Sequence, residues 1–368
     1  MAYPLHDLLD DVLAGHRLTE EEAVRLLSTR GRDVWKIAAA ADELRERKVG
    51  DVVTYVRNQN IHVTNICKNR CGFCGFGRRA GDPGAFRDDL DTVREKARIA
   101  RDRDVTEICI LSGVHPDYTL DSYIDLIRCV REEAPGVDIH TASPDEIAWA
   151  AERSGVSTEE ALERLRDAGL GTLQGTAAEI LVDDVRRVIC PNKCDTATWV
   201  RVIKEAHRMG IRSTATIMYG SCESEADRAR HLGILREIQD ETGGFTELVP
   251  LSYLYENTPL YRQGLAPAGA TGREDLLLFA VARLFLDNFD HIQISWGKVG
   301  TKMAELGLLA GGDDLGGTMF CDDVSVDAGA EDADYLDPSE MRRIAEDLGR
   351  TLRQRTTRYE IVASTTPN

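Results

Sequence analysis

Three cysteines stand close together in Thr64-Asn65-Ile66-Cys67-Lys68-Asn69-Arg70-Cys71-Gly72-Phe73-Cys74-Gly75-Phe76, with the spacing C-x3-C-x2-C. Thiolates are soft ligands that suit iron–sulfur clusters and zinc. Three of them can each hold one iron of a cubane [4Fe–4S] cluster, which leaves the fourth iron without a protein ligand. Electron-transfer ferredoxins instead close the shell with four Cys. An iron left in this way can bind a small chelator through an amino and a carboxylate group. Structural zinc asks for a fourth Cys or His. No C-x2-C partner lies downstream, but His62 or a distant Cys stays open as that fourth ligand. Three buried structural thiols are the plainest alternative. Gly72 and Gly75 suit a loop wrapped tightly around a bulky group.

The other cysteines, Cys109, Cys129, Cys190, Cys194, Cys222 and Cys321, are scattered. An odd total of 9 in a chain of 368 residues does not read as a disulfide framework. Cys190 and Cys194 repeat the C-x3-C spacing in Cys190-Pro191-Asn192-Lys193-Cys194. They read as packing thiols, with an auxiliary metal site as the other reading.

The elements that must position the trio alternate in type. Short β-rich runs are expected at 61–65, 107–111, 137–141, 171–174, 213–218, 246–251 and 291–295, with 317–320 as a possible eighth. Amphipathic helical stretches separate most of them. Residues 91–101 put Val93, Ala97 and Ala100 on one face; Ser157 with Glu160 reads as a capping box, and Gly169 closes that helix; Gly210 closes another that begins near Thr196. Such alternation predicts an α/β fold, a parallel (β/α) barrel of the TIM-like type with helices outside. A doubly wound open sheet is the alternative. Residues 1–50 read as an N-terminal helical extension, with a start signal at Thr19, 51–325 as the barrel, and 326–368 as a C-terminal loop and helix extension. Loops after the strands of a parallel barrel form its active face, and the cysteine loop follows the first predicted strand directly.

The chain carries 63 Asp+Glu against 45 Lys+Arg, a formal charge of −18, which argues against nucleic acid or an anionic membrane as a partner. Of its cations 8 are Lys and 37 are Arg. An acidic, lysine-poor surface resembles that of proteins from salt-loving organisms, a matter of solubility and not of chemistry. No apolar run approaches the roughly 18–20 residues of a membrane span. Asp7, Asp10 and Asp11 near the start, without a basic flank or cleavage site, predict a cytoplasmic protein.

Taken with its strand, C-x3-C-x-aromatic-C resembles the radical S-adenosylmethionine (SAM) superfamily. The resemblance implies that Cys67, Cys71 and Cys74 hold a [4Fe–4S] cluster and that SAM chelates the remaining iron. It also implies that an electron from the cluster cleaves SAM to a 5′-deoxyadenosyl radical, and that Phe73 lies against the adenine. Further segments match one subgroup in order. They are Asn58-Gln59-Asn60-Ile61, Val114-His115-Pro116-Asp117, Gly175-Thr176-Ala177-Ala178-Glu179-Ile180-Leu181, Ala206-His207, Met218-Tyr219-Gly220, Thr242-Gly243-Gly244-Phe245-Thr246-Glu247, Ser295-Trp296 and Asp314-Leu315-Gly316-Gly317-Thr318. The subgroup holds both halves of the deazaflavin (FO) synthase and two enzymes of the futalosine route to menaquinone. The segments at 175–180 and 314–318 look most like the CofH half. Leu111-Ser112-Gly113 departs from the usual Gln-Gly-Gly, and Gln174 stands where Pro is common.

What the resemblance implies is a transfer of the 4-hydroxybenzyl group of L-tyrosine to 5-amino-6-(D-ribitylamino)uracil, on the way to FO and coenzyme F420. It implies a CofG-like partner subunit and a low-potential electron donor. It places Ser112 and Gly113 near the amino group of SAM and Glu179 on the ribose, with Ser143 and Arg186 as further cofactor contacts. Each has a plainer reading: a helix N-terminal acid for Glu179, a helix cap for Ser143, a surface Arg for Arg186, loop packing for Phe73. His115, Glu247 and Lys298 are candidates for catalysis, and Trp296 for stacking on the uracil. A futalosine-route radical enzyme is the second functional reading. The third is non-catalytic: an iron–sulfur electron carrier or a zinc-stabilised binding protein.

Overall fold

The computed structural model describes residues 4–330 and 333–363. Its strands are β1 (Val52–Val56), β2 (Asn58–Thr64), β3 (Glu107–Ser112), β4 (Asp138–Thr141), β5 (Thr172–Leu173), β6 (Ser213–Tyr219), β7 (Phe245–Ser252), β8 (Asp314–Gly317) and β9 (Thr351–Arg355). β2 to β7 pair in sequence order and in parallel, and β8-β1-β9 form a second parallel sheet. β1 and β2 are one stave interrupted at Arg57.

Single bridges join the two sheets into a ring. Leu248 pairs with Ile292, Gln293 with Asp314, and Gln59 with Phe320. The Asn60 N–H donates to the Phe320 carbonyl at 2.9 Å, and Ile294 N–H to Asp314 at 2.7 Å. The circuit therefore closes, which settles the barrel against the open sheet. The predicted strand at 291–295 contributes only through these bridges. β8 falls three residues ahead of its predicted place, and β1 and β9 were not anticipated. The last predicted helix is there, Pro338–Asp347, but the chain then returns as β9 along β1.

Every residue of β2 and of β6 is buried, as expected of a parallel sheet covered on both faces. The helices start and stop where their caps dictate. Thr19 and Glu22 form a reciprocal capping box, and Gly169 ends Thr158–Ala168 in the left-handed conformation. At Ser157 only half of the predicted box forms, the hydroxyl accepting the Glu160 N–H. The N-terminal helices Leu5–Leu13, Glu20–Leu27 and Asp33–Val49 share the barrel's apolar core through Leu8, Leu26 and Ile37. Glu20–Leu27 and Asp33–Val49 pack against Gly272–Phe285, a helix buried from Asp275 onward, and Leu5–Leu13 packs on Asp33–Val49. No helix among the described residues is long and apolar enough to cross a membrane.

Candidate active site

The cysteine loop leaves β2 at the C-terminal mouth of the barrel and is held on several sides. Gly113 N–H donates to Thr64 at 2.8 Å, Lys68 N–H to Val114 at 2.9 Å, and Gly72 N–H to Ile189 at 2.8 Å. A Cβ on Gly113 would come within 2.7 Å of the Ile66 carbonyl oxygen, so only glycine lets β3's loop lie this close to the trio. A Cβ on Gly75 would lie 2.7 Å from the Asp327 oxygen. Gly75 thus serves the loop's fit against neighbouring backbone, and Gly72 its fit against the Leu260 side chain.

Burial raises all three thiols above the usual Cys range, Cys71 most of all, and the three sulfurs also feel one another. Thiols kept neutral by burial become good ligands once a cation supplies the missing charge. Among the described residues no three His, Cys, Asp or Glu side chains converge on a point as a single metal ion requires. A cubane makes a different demand, since each thiolate takes its own iron. The donor set therefore fits the cluster. His62, the open candidate for a fourth ligand, turns elsewhere: its Nε2 lies 3.2 Å from the Cys321 carbonyl, and its ring packs edge-on to Phe76.

Among the described residues Lys193 is a cation whose charge acts on all three thiols, and it was not anticipated. Burial alone would lower Lys193, but Glu179 and the thiols of Cys71 and Cys190 outweigh that and hold it well above its ordinary value. Its ammonium bonds the Glu179 carboxylate and sits 5.4 Å from the Phe73 ring. Lys193 is delivered by the Cys190–Cys194 segment. That segment braces the cysteine loop through Ile189 O and through Asn192, whose amide donates to Asn69 O at 3.0 Å. Asp145 completes the brace, accepting from Asn69 Nδ2 at 2.5 Å and from Cys194 N–H at 2.7 Å.

Below the mouth lies a cavity of about 210 Å³ inside the ring of strands. Inward positions alternate along each strand; beside apolar Val56, Leu111, Val249 and Leu251 stand polar side chains. They include Asn58 and Asn60 of β2, Thr214 and Thr216 of β6, Gln174 after β5, and Gln293. One water needs about 10–15 Å³ of such space, so the lumen has room for part of an organic molecule. The cavity ends on a floor laid by the C-terminal tail. Arg355 bonds Asp314 at 2.5 Å and Glu247 at 3.2 Å, and Tyr359 Oη donates to Glu247 at 2.5 Å.

Residues 61–234 match the family model described as the radical SAM superfamily, and 242–367 match the CofH/MqnC C-terminal region. The chain belongs to the radical SAM superfamily, CofH type. It is 70% identical to the 5-amino-6-(D-ribitylamino)uracil--L-tyrosine 4-hydroxyphenyl transferase of Methanoculleus marisnigri, over 98% of this chain and 99% of that one. It is 41% identical to the FO synthase of Mycobacterium leprae over 97% of this chain, which spans only 43% of that longer protein. Among solved structures the methylornithine synthase PylB shares the fold, with a TM-score of 0.70 at 19% identity over 94% of this chain and 97% of that one.

On this radical SAM scaffold, the residues singled out from the sequence separate into two ends. Phe73, Ser112, Gly113 and Glu179 gather around the cysteines at the mouth. Glu179 has a left-handed backbone, φ +44, as does Ala177 at φ +62; strain of this kind collects at functional loops. Arg186 is not an exposed surface side chain and does not pair with Glu179. It is buried, and its terminal nitrogens donate to the carbonyls of Ala177, Ala178 and Cys194, which pins the strained loop. Ser143 caps Pro144–Ser154 and donates to Glu146 at 2.7 Å. His115 stacks on Tyr118 at 4.8 Å, and its Nδ1 accepts the Asp117 N–H at 3.1 Å. Trp296 is buried and spends its indole N–H on the Gly317 carbonyl at 2.9 Å, which leaves no free face for stacking on a uracil. Lys298 reaches Ser325 at 2.6 Å on the mouth side. Glu247 lies at the opposite end, on the floor, where burial pushes it up to about 7 against the pull of Arg355. Cys190 and Cys194 behave as packing thiols, pushed by burial up to about 11 and about 12.

Proposed function

We propose that this chain is a radical SAM transferase that joins the 4-hydroxybenzyl group of L-tyrosine to 5-amino-6-(D-ribitylamino)uracil. The observation that carries the reading is a three-thiol loop set over a lumen lined by both polar and apolar side chains, in a chain 70% identical to a transferase of that name. Cys67, Cys71 and Cys74 would hold the cluster, and Phe73, Gly113 and Glu179 would meet SAM. When bound, these cofactors supply the radical that removes a hydrogen atom from tyrosine and leads to its Cα–Cβ cleavage.

The chain's own residues orient and shield. The ring of strands excludes water from the lumen, since reactive fragments released there must meet the uracil and not solvent. Arg186 and the brace at 189–194 fix the Glu179 loop, so the carboxylate is in place before a nucleotide arrives. Lys193 balances Glu179 and offsets the charge of three thiolates. The M. leprae relative, in which the matching region is part of a longer FO synthase, supports a CofG-like partner that closes the deazaflavin ring. A low-potential donor must also reach the mouth.

Anaerobic protein reconstituted with iron and sulfide, given SAM, dithionite, tyrosine and the diaminouracil, tests the reading by mass spectrometry. The hydroxybenzyl–uracil adduct should form together with 5′-deoxyadenosine. Turnover of a futalosine derivative with no adduct would place the enzyme on the menaquinone route instead. Absence of SAM cleavage would leave an electron carrier.

A further inference from the structure

Most polar groups in the lumen are already engaged. Asn58 accepts from Met319 N–H at 2.9 Å and donates to Glu107 at 3.3 Å. The Gln174 amide donates to the carbonyls of Ile110 and His140 at 3.3 and 3.2 Å, which accounts for a glutamine where proline is common. Thr214 and Thr216 bond the backbone of Gly175. Two carboxamides remain. Asn60 and Gln293 are 6% and 7% exposed, line the same cavity, and have no side-chain hydrogen bond among the described residues. Their atoms are also missing from the polar groups sealed off without a partner, so they face the cavity and not packed protein.

A buried amide without a partner destabilises a fold. Gly316 adopts φ +72, and a Cβ there would stand 2.4 Å from the Gln293 Nε2. The glycine thus makes room for the Gln293 side chain. Asn60 projects from β2 on one side of the β8 stave, and Gln293 lies on the other.

We infer that Asn60 and Gln293 form the subsite that reads the pyrimidinedione edge of the ribitylaminouracil, an inference that rests on the function proposed above. A carboxamide offers a donor and an acceptor side by side, and the pyrimidinedione ring offers two matching edges, N3–H/C4=O for Gln293 and N1–H/C2=O for Asn60, so each amide takes one edge through two parallel hydrogen bonds. Tyrosine does not suit these residues. Its carboxylate asks for a cation, and the cation lining the lumen among the described residues, Arg355, is already held by Asp314 and Glu247, while the lining carboxylates Glu107 and Asp322 accept from Asn58, Cys109 and Ser325. A neutral head group with an amide edge is the chemistry the pocket's unspent groups match.

The test uses reconstituted holoenzyme carrying Asn60→Leu, Asn60→Ser or Gln293→Met, checked by visible cluster absorption and thermal unfolding. Equilibrium binding and KM for 5-amino-6-(D-ribitylamino)uracil should weaken about tenfold or more in each folded variant, while KM for tyrosine changes less than about twofold. A ligand-side arm needs no variant: the N3-methylated uracil should bind wild type weakly, and its loss should not add to that of Gln293→Met. Unchanged uracil affinity in folded variants, or an N3-methyl compound bound as well as its parent, would overturn the assignment. A wild-type enzyme that makes the adduct while the variants prove insensitive sinks this inference alone. A wild type that makes no adduct sinks the functional reading beneath it.

Discussion

At the floor of the barrel Arg355 answers Asp314 and Glu247, and Tyr359 and Thr54 take up further carboxylate oxygens. At the mouth the thiol of buried Cys71 and those of half-buried Cys67 and Cys74 feel the charge of Lys193, which is already shared with Glu179. One end is electrostatically closed within the chain. The other turns anionic once its thiols ionise to bind, and is then balanced only by an added cationic group. Burial raises groups at both ends, but the floor holds its partners covalently in one polypeptide, and the mouth waits for ligands. The chemistry belongs at the mouth for that reason, and a strongly shifted carboxylate such as Glu247 marks a structural joint.

The sharpest way to break this contrast is at the mouth. Replacing Cys67, Cys71 or Cys74 by Ala should abolish both cluster absorption and SAM cleavage while the apoprotein keeps its unfolding midpoint. A variant that still turns over would remove the distinction. The floor should respond in the opposite sense. Arg355→Met leaves Asp314 and Glu247 facing each other without a cation and should cost on the order of 3–5 kcal/mol in urea unfolding, with cluster loading retained in the folded fraction. Lys193→Met sits between these cases. Taking a cation from beside the cluster should move its potential to a more negative value in an EPR-monitored titration, and a potential equal to wild type would show that Lys193 serves Glu179 alone.

The smallest effect concerns a residue at neither end. His207 lies in a slot where a Cβ on Gly244 would meet its ring at 2.1 Å, and its nitrogens contact Thr242 and Ser213. Burial pushes it down to about 4. Since its folded value lies below the unfolded one, its contribution is present above pH 6.5 and is lost as pH falls toward 4. Glu146 and Glu247, both raised to about 7, act oppositely: their contribution is full below their unfolded value and is lost as pH rises to 7. Comparing wild type with His207→Gln isolates the histidine. Its advantage in unfolding free energy should shrink by about 2 kcal/mol between pH 7 and pH 5.

Much of the mouth was legible in the sequence because it is local. The cysteine spacing, its glycines and the strand before it lie within a few residues of one another, and the strand–helix alternation gave the barrel. The floor was not legible, because Arg355 and Tyr359 meet Asp314 and Glu247 only after the tail folds back as β9. The short stave at 291–294 had the right composition, yet it pairs through isolated bridges where a regular strand was expected. Lys193 was hidden in a segment read for its cysteines, whose value is to carry the lysine and brace the loop. Several matched motifs turned out to be partners in packing. His207 needs Gly244, and Gly316-Gly317 makes room for Gln293 and Asn58. Alternation along β2 could have exposed Asn60, since Asn58 and Asn60 share one face of the strand, with Ile61 and Val63 on the other.

Low-temperature EPR of the anaerobically reconstituted, dithionite-reduced protein, recorded with and without SAM and paired with an iron count, bears most directly on the mouth. About four irons per chain and a cluster signal that changes when SAM is added are expected of a cubane with one iron free of protein. A signal indifferent to SAM, or zinc in place of iron, would contradict the account.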